Sequence, residues 1–541
     1  MSDKLNQKRS RRSFLQLSGA AALGMISLPA FGQGSTEAPS DDPFLNGVNN
    51  GPGRQGPNDG PPSGGGGLGG GPNGRGPGAS RRNAIPGPYP TSVVAQQDFS
   101  IALGRPTDVS VTANVVSGVD REGYLEYGLS PNSYTQKSSI TTLPAKKPVE
   151  FLLDGLKQDT EYSYRVLTRF PGDQQFTETA AHTFHTQRAP GSAFTFTIQG
   201  DSHPERPFQH DPTLYAQTLT AVAAENPDFH VTIGDDFTVE RLPTVDPEVL
   251  KLVHLYQRYF LGLVTGSAPV FLGNGNHEQT SLANLDGTPD NVAVWSQNSR
   301  NSLFPQPAPD HFYTGNSIPV DYIGYVREYY AFNWGDVLFV TIDPYWHSKH
   351  YVDTTYGGAP RTNDIWNSTL GDDQYAWLTK TLESSKAKYK IVFTHHINGT
   401  QRGGVDIADQ GEWGGYDEDG NYEFDQERPN WKLPIHSLFV KTGVNIVFQG
   451  HDHLFAKDEA DGVVYQTLPC PADLNYADGF ANAYRTKIKF PCSGYLRVKV
   501  ASDKLDVEYV RQYLPADETA TQKSGDVAYT YSVVGRGSKL S

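Results

Sequence analysis

The sequence predicts a mixed α/β domain preceded by an all-β sandwich, and three observations along the chain predict it. Over residues 89–188, short runs alternate apolar and polar residues between turn residues at roughly ten-residue intervals, as in a sandwich of antiparallel strands. From Ala193 onward, apolar strands alternate with helical patterns, as in an α/β domain. Residues 46–86, which include PPSGGGGLGGGPNGRGPG, hold too little apolar surface for a core and read as a flexible tether. The chain of 541 residues is long enough for two or three domains, and its net charge of −15 argues against nucleic acid as a partner, since phosphate backbones require clustered Lys and Arg.

The elements follow in order. Lys8, Arg9, Arg11 and Arg12 precede Phe14-Leu15-Gln16 and a mild apolar run, LSGAAALGMISLPAFG. That run is too short and too rich in Gly and Ala for a stable membrane span, and it ends in small residues suited to cleavage near Ala30. SRRSFLQ resembles a twin-arginine export signal, the alternatives being an ordinary secretory signal with a basic start or a membrane anchor left uncleaved. The resemblance implies the twin-arginine machinery as a partner, a periplasmic or secreted protein, and no stable membrane span after cleavage. We assign residues 1–32 to the signal, 33–87 to the tether, 88–190 to the sandwich, 193–513 to the α/β domain and 514–541 to a C-terminal tail. The two cysteines, Cys470 and Cys492, allow one optional disulfide, and no CxxC is present for zinc.

In the sandwich, DVSVTANVV, GYLEYG, PVEFLL, EYSYRVLTR and HTFHT read as strands. LDGLKQDTEYSYRV resembles the stretch of fibronectin type III domains in which Leu156, Thr160 and Tyr162 frame the tyrosine corner. The domain carries no catalytic constellation and reads as structural, or as a wall beside a site. In the α/β domain, AFTFTIQ, FHVTIG, PVFLGN, DVLFVTID, YKIVFTH and NIVFQ are strands, and SGYLRVKV and KLDVEYVRQYL alternate like antiparallel ones. PTLYAQTLTAVAAEN, DPEVLKLVHLYQRYFLGLV with its Asp cap, and DQYAWLTKTLESSK are helices.

Five of these strands end in donors of oxygen or imidazole nitrogen. They are followed by Gly200-Asp201-Ser202-His203, Gly234-Asp235-Asp236, Gly273-Asn274-Gly275-Asn276-His277-Glu278, His395-His396 and Gly450-His451-Asp452-His453. Strand ends of an open α/β sheet converge on one crevice, where ligands bind. Each block alone is commonly a solvated turn; the order, placement and donor types together point to a metal site. Carboxylate, amide and imidazole donors without thiolates suit Fe, Zn, Mn or Co.

The ordered set resembles the calcineurin-like metallophosphoesterase superfamily, whose signature runs DxH, GD, GNH[DE], H and GHxH. The resemblance implies a two-sheet α/β sandwich with a dinuclear centre at the strand ends, holding two divalent or trivalent ions (Fe, Zn or Mn). It implies Asp201, His203 and His453 for the first metal and Asn276, His395 and His451 for the second, with Asp235 bridging. His277 is implied beside the scissile phosphate as the catalytic group, a proton donor or charge stabiliser, with Glu278 or Asp236 as candidates to orient it. His396 is the alternative to His395 as ligand and otherwise a phosphate contact. Arg206, with Arg241, is a further candidate for substrate contact. The implied reaction is hydrolysis of a phosphate monoester or diester by metal-bridged hydroxide, the metals lying roughly 3.5–4 Å apart.

The preceding β domain is also similar to the arrangement in purple acid phosphatases. That family, however, has Asp-x-Gly where this chain has Asp201-Ser202-His203, and a ligating tyrosine where this chain has Thr238. No tyrosinate–iron colour is therefore expected. The long run RGGVDIADQGEWGGYDEDGNYEFDQERPNW reads as a rim or lid, with Trp413 and Tyr416 as candidate substrate contacts, or as a solvated insertion. A small-molecule phosphate ester is the expected substrate. Nucleotides, cyclic nucleotides and phospholipid headgroups are not separated by the residues. The rival reading is a non-catalytic extracytoplasmic scaffold that retains the fold.

Overall fold

The computed structural model describes residues 98–535, apart from 240, 241, 243, 244, 349, 351–363, 399 and 400. The signal and tether assigned to 1–87, and Arg241, lie outside the described residues.

The all-β region is a sandwich of two antiparallel sheets. Phe99–Gly104, Val111–Ser117 and Pro148–Leu153 form one sheet. Arg121–Gly128 and Glu161–Arg169 centre the other, extended by Gln136–Lys137, Thr141–Leu143, Thr177–Glu178 and His182–His185. Leu103, Val115, Leu125, Phe151, Tyr164 and Val166 fill the space between them. Tyr162 is buried, and its hydroxyl accepts a hydrogen bond of 3.0 Å from the Lys157 amide a few residues upstream. The first strand, FSIALG, was not among the sequence-derived strands. Its buried run is nearly continuous, as is that of its neighbour Val111–Ser117.

The α/β domain stacks two sheets between helices. One sheet runs Val270–Leu272, Phe229–Thr232, Phe194–Gln199, Gly494–Val500, Lys504–Arg511, Val527–Val534, with the first three strands parallel and the rest antiparallel. The other has at its centre the parallel strands Val337–Thr341, Tyr389–Phe393, Ile446–Gln449 and Val463–Thr467. Period-two alternation decides which face is which. Phe194, Phe196 and Ile198 enter the layer between the sheets, where they meet Phe229, Phe339 and Phe393. Thr197 and Gln199 point the other way and are buried with partners, His230 Nδ1 at 2.9 Å and the Tyr215 hydroxyl at 3.0 Å. The outer faces are covered by Pro212–Ala224 and Pro247–Thr265 on one side and by Gly371–Ser384 and Ile435–Thr442 on the other. The Asp246 side chain accepts the amides of Glu248 and Val249, the cap expected for the second of these helices.

Two expectations need correction. The segment read as a C-terminal tail carries Val527–Val534, which pairs with Lys504–Arg511 as the outer strand of the first sheet. Its side chains are only half covered, as on an edge. The sandwich does not wall the strand ends that carry the donors. It docks at the opposite ends: Arg188 pairs with Asp228 just before one strand (2.7 Å), and the Tyr164 hydroxyl donates to the Gly266 carbonyl just before another (2.5 Å). The buried Arg258 guanidinium extends this seam, donating to Ser100 Oγ (2.8 Å) and to the Asn114 carbonyl (2.6 Å).

Candidate metal centre

The loops that leave five parallel or near-parallel strands converge, and their backbones are unusual. His203, Asp235, His451 and His453 have φ of 41°, 58°, 68° and 53°, the left-handed region that costs energy for a residue bearing a Cβ. Gly450 follows the Ile446–Gln449 strand because a Cβ there would lie 2.4 Å from Asp201 Oδ1. A Cβ on Gly275 would lie 2.1 Å from Asp235 Oδ1. Close backbone approach brings carboxylates and imidazoles from distant segments into one buried cluster.

Two donor sets share one oxygen. His453 Nε2 lies 3.0 Å from Asp201 Oδ2 and 2.9 Å from His203 Nε2. Across from it, Asn276 Oδ1 lies 3.0 Å from His395 Nε2 and 3.0 Å from His451 Nδ1. Asp235 Oδ2 stands between, 3.5 Å from His203 Nε2 and 3.2 Å from His395 Nε2. It is buried and, beyond the imidazoles around it, has no donor nearby among the described residues, so a cation would satisfy it. The groupings Asp201–His203–His453 and Asp235–His395–His451 each have the geometry to hold a metal ion, and His203–Asp235–His277 forms a third that overlaps both. The set is all oxygen and imidazole, so the residues fit hard-to-borderline transition metals.

The surrounding groups orient the imidazoles. His203 Nδ1 meets the Glu205 carboxylate at 2.9 Å, and His395 Nδ1 meets the Ile233 carbonyl at 2.9 Å, so each turns its Nε2 inward. Burial alone would raise Asp201 and Asp235, but the facing histidines, His395 foremost, hold both below the usual carboxylate range. Burial likewise opposes protonation of His395, and Asp235 and Asp201 outweigh it, carrying its pKa up to about 9.

The remaining predicted residues separate into two groups. His277 lies at the centre's edge, its Nε2 3.7 Å from Asp235 Oδ2 and 3.0 Å from an Arg206 guanidinium nitrogen. Arg206 is anchored by Glu205 at 3.1 Å, so a buried carboxylate joins His203 to the arginine beside His277. His396 turns away: its Nε2 meets the Gln401 carbonyl at 2.5 Å, and its ring packs on His451.

Glu278 and Asp236 do not orient His277. Glu278 accepts four backbone amides, from Asp235 (3.1 Å), Asp236 (2.8 Å), Phe237 (3.0 Å) and Gly275 (2.6 Å), and thereby clamps two of the donor loops together. Asp236 Oδ1 meets Ser202 Oγ at 2.5 Å, and burial pushes its pKa up to about 7. Trp413 is not a substrate contact. It is buried against Phe439 and Tyr465 under the helix layer, because the long run folds into short helices whose aromatic side chains complete that core. Tyr416 is exposed and packs on Tyr422.

Asp452 and Arg402 were missed as site residues. Asp452 accepts from Arg402 Nη1 at 3.0 Å, the Gly403 amide at 3.0 Å and the Tyr484 hydroxyl at 2.6 Å, tying the long run to the His451–His453 turn. The Arg402 guanidinium lies 3.7 Å over the Phe480 ring. The acidic residue inside GHDH was the available signal.

A double α/β sheet with this His/Asp cluster at its strand ends defines a class, and residues 194–455 match the family model of the calcineurin-like phosphoesterases. The chain carries a calcineurin-like metallophosphoesterase domain. Its fold is similar to the solved structure of PhoD, at 14% identity and a TM-score of 0.56, covering 84% of this chain and 94% of that one. It is also similar to the purple acid phosphatase PPD1 from seeds of yellow lupin (Lupinus luteus), at 15% identity and a TM-score of 0.52, covering 80% and 73%. At these identities the likeness is one of fold. No curated protein matches the sequence.

Proposed function

We propose that the chain is an exported phosphoesterase that hydrolyses small-molecule phosphate esters with two transition-metal ions. Asp201, His203 and His453 would hold one ion, and Asn276, His395 and His451 the other, with Asp235 shared. The observation that carries this reading is Asp235 Oδ2, buried between the two donor sets and facing an imidazole of each. Such a pair of ions supplies a clamp on phosphate oxygens and a water of lowered pKa.

The chain's own residues supply the rest. Arginine can only donate, so His277 Nε2 accepts from Arg206 and carries its lone pair there. In this arrangement the guanidinium is the cation at the edge of the centre. An arriving phosphate draws Arg206 onto its own oxygens, which leaves Nε2 able to take up a proton and pass it to the leaving group. Glu205 keeps Arg206 within reach during that exchange. The N-terminal SRRSFLQ segment supports export by the twin-arginine route, and the buried Tyr162 corner supports a fibronectin type III-like reading of the sandwich.

The test compares hydrolysis of 4-nitrophenyl phosphate and its bis-ester, with metal content measured on the same samples before and after a chelator. Loss of both metal and hydrolysis on chelation, and recovery on adding Fe, Zn or Mn, is the expected result. A metal-loaded protein that cleaves neither ester would sink the reading.

A further inference from the structure

A sixth strand end also reaches the centre. The Val337–Thr341 strand, neighbour of the one that leads to His395, continues into Asp343-Pro344-Tyr345. This loop is held rigidly. Asp343 Oδ1 accepts the amides of Tyr345 (2.7 Å) and Trp346 (3.0 Å), and its other oxygen accepts from Asn274 Nδ2 at 2.8 Å, beside the Asn276 loop. Gln374 bonds both the amide and the carbonyl of Asp343, at 2.8 Å and 2.7 Å.

Tyr345 is thereby fixed at 2% exposure, its ring centroid 6.0 Å from that of His395. Its hydroxyl is buried and has no hydrogen-bond partner among the described residues. A buried phenol normally finds one, because an unpaired hydroxyl away from water is costly. An ordinary phenol keeps its proton at neutral pH, so the hydroxyl is a neutral donor beside His395.

We infer that the Tyr345 hydroxyl donates a hydrogen bond to a phosphoryl oxygen of the bound ester on the His395 side of the centre. This rests on the phosphoesterase reading above. Two of the non-bridging oxygens of a phosphate would face the ions, and the phenol is the neutral donor available to a third. A monoester or inorganic phosphate offers that third charged oxygen, whereas a diester has it esterified. Tyr345 is thus a residue that favours monoesters, and the pocket it lines accepts inorganic phosphate as product.

Tyr345→Phe keeps the ring and its packing and removes only the hydroxyl. Binding of inorganic phosphate to the metal-loaded protein, followed by calorimetry, should weaken about tenfold in this variant, the loss of one hydrogen bond to a charged acceptor. Metal content should be unchanged, and KM for 4-nitrophenyl phosphate should rise more than KM for the bis-ester. The neighbouring Trp346→Phe, which alters packing but not the hydroxyl, should bind phosphate as the wild type does. Unchanged phosphate affinity in Tyr345→Phe would overturn the inference, and so would loss of metal from it, since the phenol would then serve the centre itself. A wild-type protein that binds metal but neither binds phosphate nor cleaves either ester would instead overturn the phosphoesterase reading.

Discussion

Under the proposed reading His277 serves the chemistry and not the ions: its amide donates to Asp235 Oδ1 (3.0 Å) and its ring accepts from Arg206. His277→Ala should therefore lower turnover about 10²–10⁴-fold while metal content holds. Asp235→Asn should lower metal content and abolish turnover together, as measured by elemental analysis beside a phosphatase assay. Equal metal loss in both variants would contradict the division of roles. A second residue-scale prediction concerns Glu328, wholly buried, with one oxygen 2.6 Å from Asn316 Nδ2. Burial, then Asp343, pushes its pKa up to about 8 from an ordinary 4.5. Below the ordinary value both folded and unfolded chains hold the proton and no stability is lost. Above it the unfolded chain releases the proton first, so stability falls as pH rises from 4.5 through 8, by an amount on the order of a few kcal/mol. Glu328→Gln should flatten the fall in Tm between pH 5 and pH 8, and parallel Tm profiles for variant and wild type would refute this.

Among elements, the long run between the His395 and His451 blocks is the clearest case of local appearance overruled by packing. Gly, acidic and aromatic residues make it look like an exposed rim, yet Trp413, Phe424 and Trp431 are buried with the Ile435–Thr442 helix. Only its start borders the centre, where Arg402 and the Gly403 amide bond Asp452. Trp413→Ala should destabilise the fold by about 3–5 kcal/mol, the range for emptying a large aromatic site in a core, and leave KM for a phosphate ester unchanged. Denaturant unfolding and steady-state kinetics on one preparation decide it: a raised KM at unchanged stability would restore Trp413 to the substrate surface.

Across the whole molecule, the sandwich and the α/β domain share a polar seam instead of a hinge. Arg258 is buried without a carboxylate partner among the described residues, and burial lowers its pKa to about 9 even though carbonyl and hydroxyl oxygens surround it. Asn114 Nδ2 donates to the Ser302 carbonyl at 2.9 Å and Thr265 Oγ1 to the Ile101 carbonyl at 3.0 Å along the same seam. Cutting out Arg258 leaves several buried acceptors unpaired. Arg258→Ala should split a single calorimetric unfolding transition into two, with the sandwich melting first, and one unsplit transition would show that apolar contacts alone join the parts.

The strands of the α/β domain and the polar residues at their ends can be read from the chain alone, because both signals are local: an apolar run marks a strand, and Asp, Asn or His, mostly after a glycine, marks its exit. Asp201, His203, Asp235, Asn276, His395, His451 and His453 all stand among these strand-end residues, their division between two ions being implied only by the family resemblance, and the Asp246 helix cap was legible as well. Folding brings out what the chain does not show: that His203 and His395 turn Nε2 inward, that Glu278 clamps backbone amides, and that Trp413 belongs to a core. It also decided that Val527–Val534 is a strand and that Tyr345 reaches the centre. These depend on contacts between segments far apart in the chain, where an acid, a tryptophan or a tyrosine has the same local appearance whether it meets solvent, a backbone amide or a substrate.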